Sequence, residues 1–191
     1  MALAVRFHDQ LSHNSTASLG DEILAGFAAR PKWASPKFFY DRRGSELFEK
    51  ITEQPKYYPT RTEELILSLA AHDIAEIAGP EADLIELGSG ASRKVRLLLE
   101  AMRPSSYLGI DISEDFLRSS TLQLAADYPW LDVHALCADF CDELHLPEGF
   151  DSVCPLAFFP GSSIGNFTPT QAQQFLTRLH CLLPVGSGLL V

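Results

Sequence analysis

The sequence lacks any apolar run approaching the roughly 20 residues that a helix needs to span a bilayer. Its first residues, MALAVRFHDQLSHNS, have too short an apolar core for a secretory signal peptide. These absences argue against a membrane protein and against a secreted one. We therefore expect a cytoplasmic protein without a membrane partner.

Positive charge is also scarce. Lys and Arg together number 15 against 25 Asp and Glu, so the formal net charge is −10, and no stretch is rich in Lys or Arg. Affinity for nucleic acid comes largely from cationic contacts with phosphates. The composition therefore predicts no nucleic-acid partner.

Recognisable metal-binding patterns are missing. The six histidines form no HxxxH or HExxH arrangement, and the four cysteines lack paired CxxC spacing. Because the cysteines lie in or beside apolar segments, we expect reduced thiols in the core rather than disulfides or zinc ligands; they are Cys137, Cys141, Cys154 and Cys181. No metal site is predicted.

Residues 1–80 have the pattern of a mainly helical segment. Apolar positions recur at helical spacing in 20–30 and 45–53, and Thr60 with Glu63 forms a possible capping box that would open a third helix. Aromatic, proline-bearing stretches lie between these helices and are typical of stiff loops.

From residue 81 the pattern changes to short apolar strands that alternate with amphipathic helices. Ser113 is a possible cap for one of these helices, and Thr168-Pro169 can serve as N-cap and first residue of another. The alternation predicts an α/β fold with a doubly wound, parallel, Rossmann-like sheet that binds ligands at the carboxyl ends of its strands. The predicted strands are 83–87, 107–112, 131–139, 152–160 and 186–191.

The chain stops on an apolar strand residue, Val191, with no closing helix or polar tail. A buried parallel strand is an unusual terminus. We therefore expect the sequence to be a fragment of a longer protein, with a sheet truncated on its C-terminal side.

The stretch ELGSGASRK (86–94) places a glycine loop between a predicted strand and a predicted helix. The dinucleotide fingerprint GxGxxG fails because Arg93 occupies its sixth position, and the Walker A pattern fails too. A loop that tolerates bulk after its second glycine suits an adenosyl ligand without pyrophosphate, of which S-adenosylmethionine is the common one. A purely structural tight turn is the alternative.

Acidic residues end the next two predicted strands. Asp111 stands about 20 residues beyond the glycines, where a carboxylate can accept both hydrogen bonds of a ribose diol. Asp139 can accept from an adenine amino group, with the Phe140 ring facing the base. The alternatives are a helix-capping aspartate at Asp111 and a turn aspartate beside a core phenylalanine at Asp139.

The segment FFPGSSIGNFTP (158–169) follows the fourth of these strands. Gly161 and Gly165 permit close backbone approach, and Asn166 offers an amide donor and acceptor beside the expected cleft. In a methyltransferase this position would orient the nucleophile. A glycine-rich turn before a capped helix remains the simpler interpretation.

Several of these motifs occur in a known order. PKFFYDRRGSELFEKITEQPKYYPTRTE, ELGSGASRK, GIDIS, ADF and GSSIGNFTP together resemble the S-adenosylmethionine-dependent histidine Nα-methyltransferases of ergothioneine biosynthesis, from about residue 20 to the end. The resemblance implies a class I methyltransferase core in 81–191, with 1–80 contributing to a substrate lobe. Related branches methylate other substrates, including the methyltransferase part of ovothiol synthases.

The resemblance also implies roles for individual residues. Lys94 would pair with the methionine carboxylate of the cofactor. Tyr40 is a weaker candidate for contact with the substrate than the three other residues given below. Tyr58 is expected to pack, in contrast to its neighbour Tyr57. The implied cofactor contacts are Gly88, Lys94, Asp111, Asp139 and Phe140; the implied contacts to an amino-acid substrate are Tyr57, Gly161, Asn166 and Tyr40.

The implied reaction is a direct displacement in which the neutral α-amine of L-histidine attacks the methyl carbon, repeated up to trimethylation. No residue stands out as an obligatory general base, so positioning would supply most of the acceleration. Residues expected to bind the imidazole would lie beyond Val191, and we therefore expect weak activity or none from the 191-residue chain. A methyltransferase for another amino acid or small amine, and an inactive adenosyl-ligand-binding domain, are the alternatives.

Overall fold

Six strands form one parallel sheet in the computed structural model, which describes residues 5–11, 19–80 and 82–191. The strands lie in the order β1-β4-β3-β2-β5-β6, and each neighbouring pair is parallel. They are β1 (Arg6–Asp9), β2 (Leu84–Leu87), β3 (Ser106–Asp111), β4 (Asp132–Cys137), β5 (Leu156–Phe158) and β6 (Gly188–Leu190).

Helices cover both faces of the sheet. Short 3-10 helices occupy Pro36–Phe39 and Ser163–Asn166. The α-helices are α1 (Leu19–Ala28), α2 (Arg42–Thr52), α3 (Pro59–Ala78), α4 (Val95–Met102), α5 (Glu114–Asp127) and α6 (Pro169–Leu182). The predicted doubly wound α/β fold is confirmed, and each strand predicted from residue 83 onward is present.

Two buried clusters hold the layers together. Successive strand residues point to opposite faces, so Leu84 packs with α4 side chains such as Leu98, whereas Ile85 packs on the other face with Phe175 of α6. The four residues of β2 are all buried, as expected for a central parallel strand. This packing fixes the carboxyl ends of the central strands in one row.

Strand β1 was not predicted, because residues 1–80 were expected to be mainly helical. It pairs with β4, with Arg6 opposite His134 and Asp9 opposite Cys137. Four residues at a partly exposed edge are too short to show a clear period of two. The sheet thus includes one strand from before residue 80, and the boundary at 80/81 remains a prediction.

Caps were predicted for three helices, and the three predictions have different outcomes. Thr168 caps α6 as predicted, with Pro169 next and Gln171 completing a capping box. The capping box at Thr60 and Glu63 is wrong, because Pro59 starts α3 earlier and places Thr60 inside the helix. Ser113 lies at the N-cap of α5, but its side chain makes no capping hydrogen bond.

The cysteines are all free, but they are not all in the core. Cys137 is buried on β4, whereas Cys154 is half-buried and Cys141 and Cys181 are exposed. The prediction of core thiols is therefore wrong for the exposed pair, since an adjacent apolar segment does not reveal which face a residue takes. Within the three described ranges, no helix combines the length and apolarity needed to cross a membrane.

Candidate functional site

The segments that were predicted to bind ligands follow the carboxyl ends of four neighbouring strands, β2, β3, β4 and β5. They therefore lie at one edge of the sheet. The glycine loop follows β2, Asp111 ends β3, Asp139 follows β4, and Gly161 lies in the segment after β5. Residues from four strands therefore share one surface, as parallel topology requires. We call this surface the strand-end edge.

The glycine loop is hydrogen-bonded to Asp111 at the end of β3. Gly88 has φ +70°, and a Cβ there would come within 3.5 Å of the Phe140 ring. The Asp111 carboxylate accepts from the backbone N–H of Gly90 and of Ser113, each at 2.9 Å. Burial raises the pKa of Asp111, although these backbone donors oppose the change. Asp111 thus shapes the loop, a structural role that the sequence did not reveal.

A buried acid lies directly under the loop. Glu86 is 1% exposed and accepts from the Tyr107 hydroxyl at 2.7 Å, while Tyr107 is fully buried and lies 3.4 Å from the Ser92 hydroxyl. Burial raises the pKa of Glu86 to about 8, against the opposing effects of Tyr107 and Lys94. Glu86 therefore keeps its proton to a higher pH than an exposed glutamate does. It was not predicted as part of the site, and the signal that could have revealed it is an acid inside an apolar strand.

Asp139 is buried and has a cationic partner from the N-terminal segment. Its Oδ1 accepts from the Cys141 N–H at 2.9 Å, and its Oδ2 lies 3.2 Å from Lys37 Nζ. Lys37 also pairs with Glu22 at 2.7 Å. Burial alone would lower the pKa of Lys37, but the two carboxylates outweigh it and the pKa is raised. Lys37 was not predicted as a site residue.

Phe140 belongs to a cluster of four phenylalanines. Its ring centroid lies 5.3 Å from that of Phe159, 6.4 Å from Phe167 and 6.1 Å from Phe175. The side chain is half-buried and faces Gly88. The ring is therefore held in place by packing, while its predicted contact with a base remains a prediction.

Lys94 is joined to the segment after β5 through one acid. Glu63 of α3 accepts from Lys94 Nζ at 2.6 Å and from the Gly161 N–H at 2.7 Å. A Cβ on Gly161 would lie 3.5 Å from Lys94 Nζ. The structure thus brings a predicted cofactor residue and a predicted substrate residue together.

The two candidate tyrosines share a neighbour. Tyr40 and Tyr57 both contact Phe48 of α2 edge-on, with ring centroids 6.1 Å and 6.3 Å away. Burial, followed by the nearby Tyr57 and Asp111, raises the pKa of Tyr40. Tyr58 is 68% exposed, so the expectation that it packs is wrong.

Asn166 ends the 3-10 helix that follows β5 and is exposed. It lies on the same segment as Gly161, a few positions further along the chain. Among the described residues, no group of three or more His, Cys, Asp or Glu is arranged to hold a metal ion.

The fold is that of a known class of enzymes. Over 88% of this chain and 74% of the other, the structure matches magnesium protoporphyrin IX methyltransferase from Synechocystis PCC 6803, solved with bound S-adenosylmethionine, at a TM-score of 0.56 and 13% identity. The architecture is therefore that of the Rossmann-like, class I S-adenosylmethionine-dependent methyltransferases.

Residues 19–191 match the family described as histidine-specific, S-adenosylmethionine-dependent methyltransferases, and the chain belongs to this family. It is 41% identical over 182 residues to histidine N-alpha-methyltransferase of Mycolicibacterium smegmatis, covering 93% of this chain and 56% of that protein. It is 36% identical over 184 residues to ergothioneine biosynthesis protein 1 of Neurospora crassa, covering 91% and 21%. The chain thus spans about half the length of the bacterial relative. The family resemblance seen in the motifs is confirmed.

Proposed function

We propose that this chain is the cofactor-binding part of an enzyme that transfers methyl groups from S-adenosylmethionine to the α-amino group of L-histidine, up to the trimethylated product, in ergothioneine biosynthesis. The family match across residues 19–191 carries the proposal. The names of the two relatives support the substrate and the pathway.

The residues of the strand-end edge fit the cofactor. Gly88 leaves a space beside the Phe140 ring that a Cβ would fill, so a ligand can pass close to the backbone there. The Asp111 carboxylate accepts from backbone N–H groups, and the Asp139 carboxylate accepts from the Cys141 N–H and from Lys37. Carboxylate oxygens have about four lone-pair sites in all, so each side chain can also accept from a ligand. Asp111 would hold the ribose, Asp139 and Phe140 the adenine, and Lys94 the methionine carboxylate.

When bound, S-adenosylmethionine supplies an electrophilic methyl group on a positively charged sulfur. The chain's own residues position the acceptor. Tyr57 and Asn166 would hold the amino-acid end of the substrate, with Gly161 allowing close approach and Tyr40 adding a hydroxyl. Effective concentration and exclusion of water would supply most of the acceleration, because the α-amine, once neutral, needs no covalent help from the protein.

The cofactor assignment is tested by calorimetric titration of the chain with S-adenosylhomocysteine. We expect Asp111→Asn to weaken binding by about tenfold or more, because the amide keeps the shape but presents a donor where a ribose hydroxyl donates. Asp115→Asn, which makes the same charge change at an exposed position of α5, is the matched control. Equal affinity in the two variants would refute the ribose assignment.

The substrate assignment needs a separate measurement. This chain is incubated with S-adenosylmethionine and either L-histidine or other amino acids, and the products are analysed by mass spectrometry. The same incubation is repeated with a longer form of the protein that matches the length of the relatives. Methylated histidine supports the proposal. Methylation of another amino acid alone would reassign the substrate, and cofactor binding without any product would leave an adenosyl-ligand-binding domain.

A further inference from the structure

Glu63 connects three segments of the strand-end edge. Its side chain leaves α3, and one oxygen accepts from the Gly161 N–H at 2.7 Å while the other accepts from Lys94 Nζ at 2.6 Å. The two charged side chains are partly covered, with 27% of Glu63 and 17% of Lys94 exposed. The pair is therefore held in one geometry but can still be reached by a ligand.

The ion pair retains unused capacity for hydrogen bonds. Each carboxylate oxygen of Glu63 has two lone pairs, and the Lys94 ammonium has three N–H donors. Each oxygen accepts one bond here, and Lys94 donates one to Glu63. The pair can thus take an anion at Lys94 and a cation at Glu63 at the same time without separating.

A cation and an anion side by side suit a ligand that carries the opposite charges on neighbouring atoms. An α-amino acid has this arrangement, because its carboxylate and its ammonium are attached to the same carbon. Fixing Glu63 through the Gly161 N–H lowers the cost of ordering the site when such a ligand binds.

We propose that the Lys94–Glu63 pair recognises an α-amino-acid zwitterion, with Lys94 binding the carboxylate and Glu63 binding the ammonium. The inference rests on the proposed function. Two ligands carry this group: the methionine end of S-adenosylmethionine and the amino-acid substrate. Either could reach the pair, because Lys94 follows the glycine loop predicted to bind the cofactor, while Gly161 is one of the residues predicted to contact the substrate. The role of Lys94 was expected from the family resemblance, whereas that of Glu63 arises from the geometry.

The decisive comparison uses two ligands that differ at the amino-acid end. The chain is titrated with S-adenosylhomocysteine and with 5′-methylthioadenosine, which lacks that end. In Glu63→Gln we expect S-adenosylhomocysteine to bind at least about tenfold more weakly, because the charge is lost and the amide nitrogen faces donors. Affinity for 5′-methylthioadenosine should not change, which also shows that the variant is folded.

The control is Glu64→Gln. It makes the same charge change at the next position of α3, where the side chain pairs with Arg93 instead of Lys94. This control should bind both ligands like the wild type. A further titration adds L-histidine to wild-type and Glu63→Gln chains saturated with S-adenosylhomocysteine.

The arms separate the two sources. If Glu63→Gln weakens only the binding of S-adenosylhomocysteine, the pair binds the methionine end of the cofactor. If it weakens only the binding of L-histidine, the pair binds the substrate. Either result supports the proposal. Equal weakening of S-adenosylhomocysteine and 5′-methylthioadenosine, or no selective loss in any arm, overturns it. A wild-type chain that binds neither adenosyl ligand would overturn the proposed function as well, which distinguishes the two failures.

Discussion

Replacing Glu86 by glutamine should stabilise the protein at neutral and higher pH. Glu86 is buried beneath the glycine loop, and burial raises its pKa from 4.5 to about 8. The folded chain therefore keeps this proton over a pH range in which the unfolded chain has released it. Because the unfolded state binds fewer protons there, the contribution of Glu86 to stability falls as the pH rises from 4.5 towards 8.

The size of the effect follows from that difference. Between pH 4.5 and about pH 8, each pH unit lowers the free energy of unfolding by up to about 1.4 kcal/mol. At pH 7 the ionisable side chain therefore lowers the free energy of unfolding by up to about 3 kcal/mol. The glutamine side chain would occupy a similar volume and could still accept from the Tyr107 hydroxyl, which donates to Glu86 at 2.7 Å. An amide does not ionise in this range, and the penalty disappears.

The assay is urea unfolding followed by circular dichroism at several values from about pH 5 to about pH 8. The advantage of Glu86→Gln over the wild type should grow steadily across this range and vanish near its acidic end. Glu114→Gln, which removes an exposed carboxylate in the first turn of α5, should show no such growth. A constant or shrinking difference between Glu86→Gln and the wild type would show that the folded state does not raise the pKa of Glu86.

Three further outcomes are expected. Burial lowers the pKa of His134 below 6.5, so the unfolded state binds more protons below that pH and stability falls with acidification; His134→Gln should flatten this acid-side slope in urea unfolding. Gly88→Ala should cost roughly 1–2 kcal/mol in the same assay and also weaken S-adenosylhomocysteine binding in calorimetry, because φ is +70° and the new methyl group faces the Phe140 ring. Phe159→Ala should cost about 3–5 kcal/mol by thermal or urea unfolding, since the ring is 1% exposed within the phenylalanine cluster; a loss below about 1 kcal/mol would show that the cluster collapses around the cavity.

The row of strand ends could be predicted because it follows from a local pattern and a general rule. Short apolar runs located the ends of the strands, and parallel topology then placed Gly88, Asp111 and Asp139 at one edge. Neither step requires knowledge of which side chains touch. The fold and the outline of the candidate site were therefore accessible from the sequence.

The contacts of the N-terminal segment could not be predicted in this way. Lys37 meets Asp139 across 102 positions, and Glu63 meets Lys94 across 31 and Gly161 across 98. An acid on a helix carries no local mark of its distant partner, and the spacing of Glu63 from Thr60 suggested a cap instead. Ion pairs across such separations depend on the packing of whole helices, which periodicity does not describe.

The pairing of β1 with β4 has a consequence for the order in which the chain folds. Arg6 lies opposite His134, so this edge of the sheet closes a loop of more than a hundred residues, whereas β2, β3 and β4 are joined by short helical crossovers. Loop-closure entropy delays contacts of this kind. On the ribosome β1 cannot pair with β4 until β4 has been synthesised, and a four-residue edge strand that closes so long a loop should be among the first to detach. Its amide protons should accordingly exchange with solvent before those of β3.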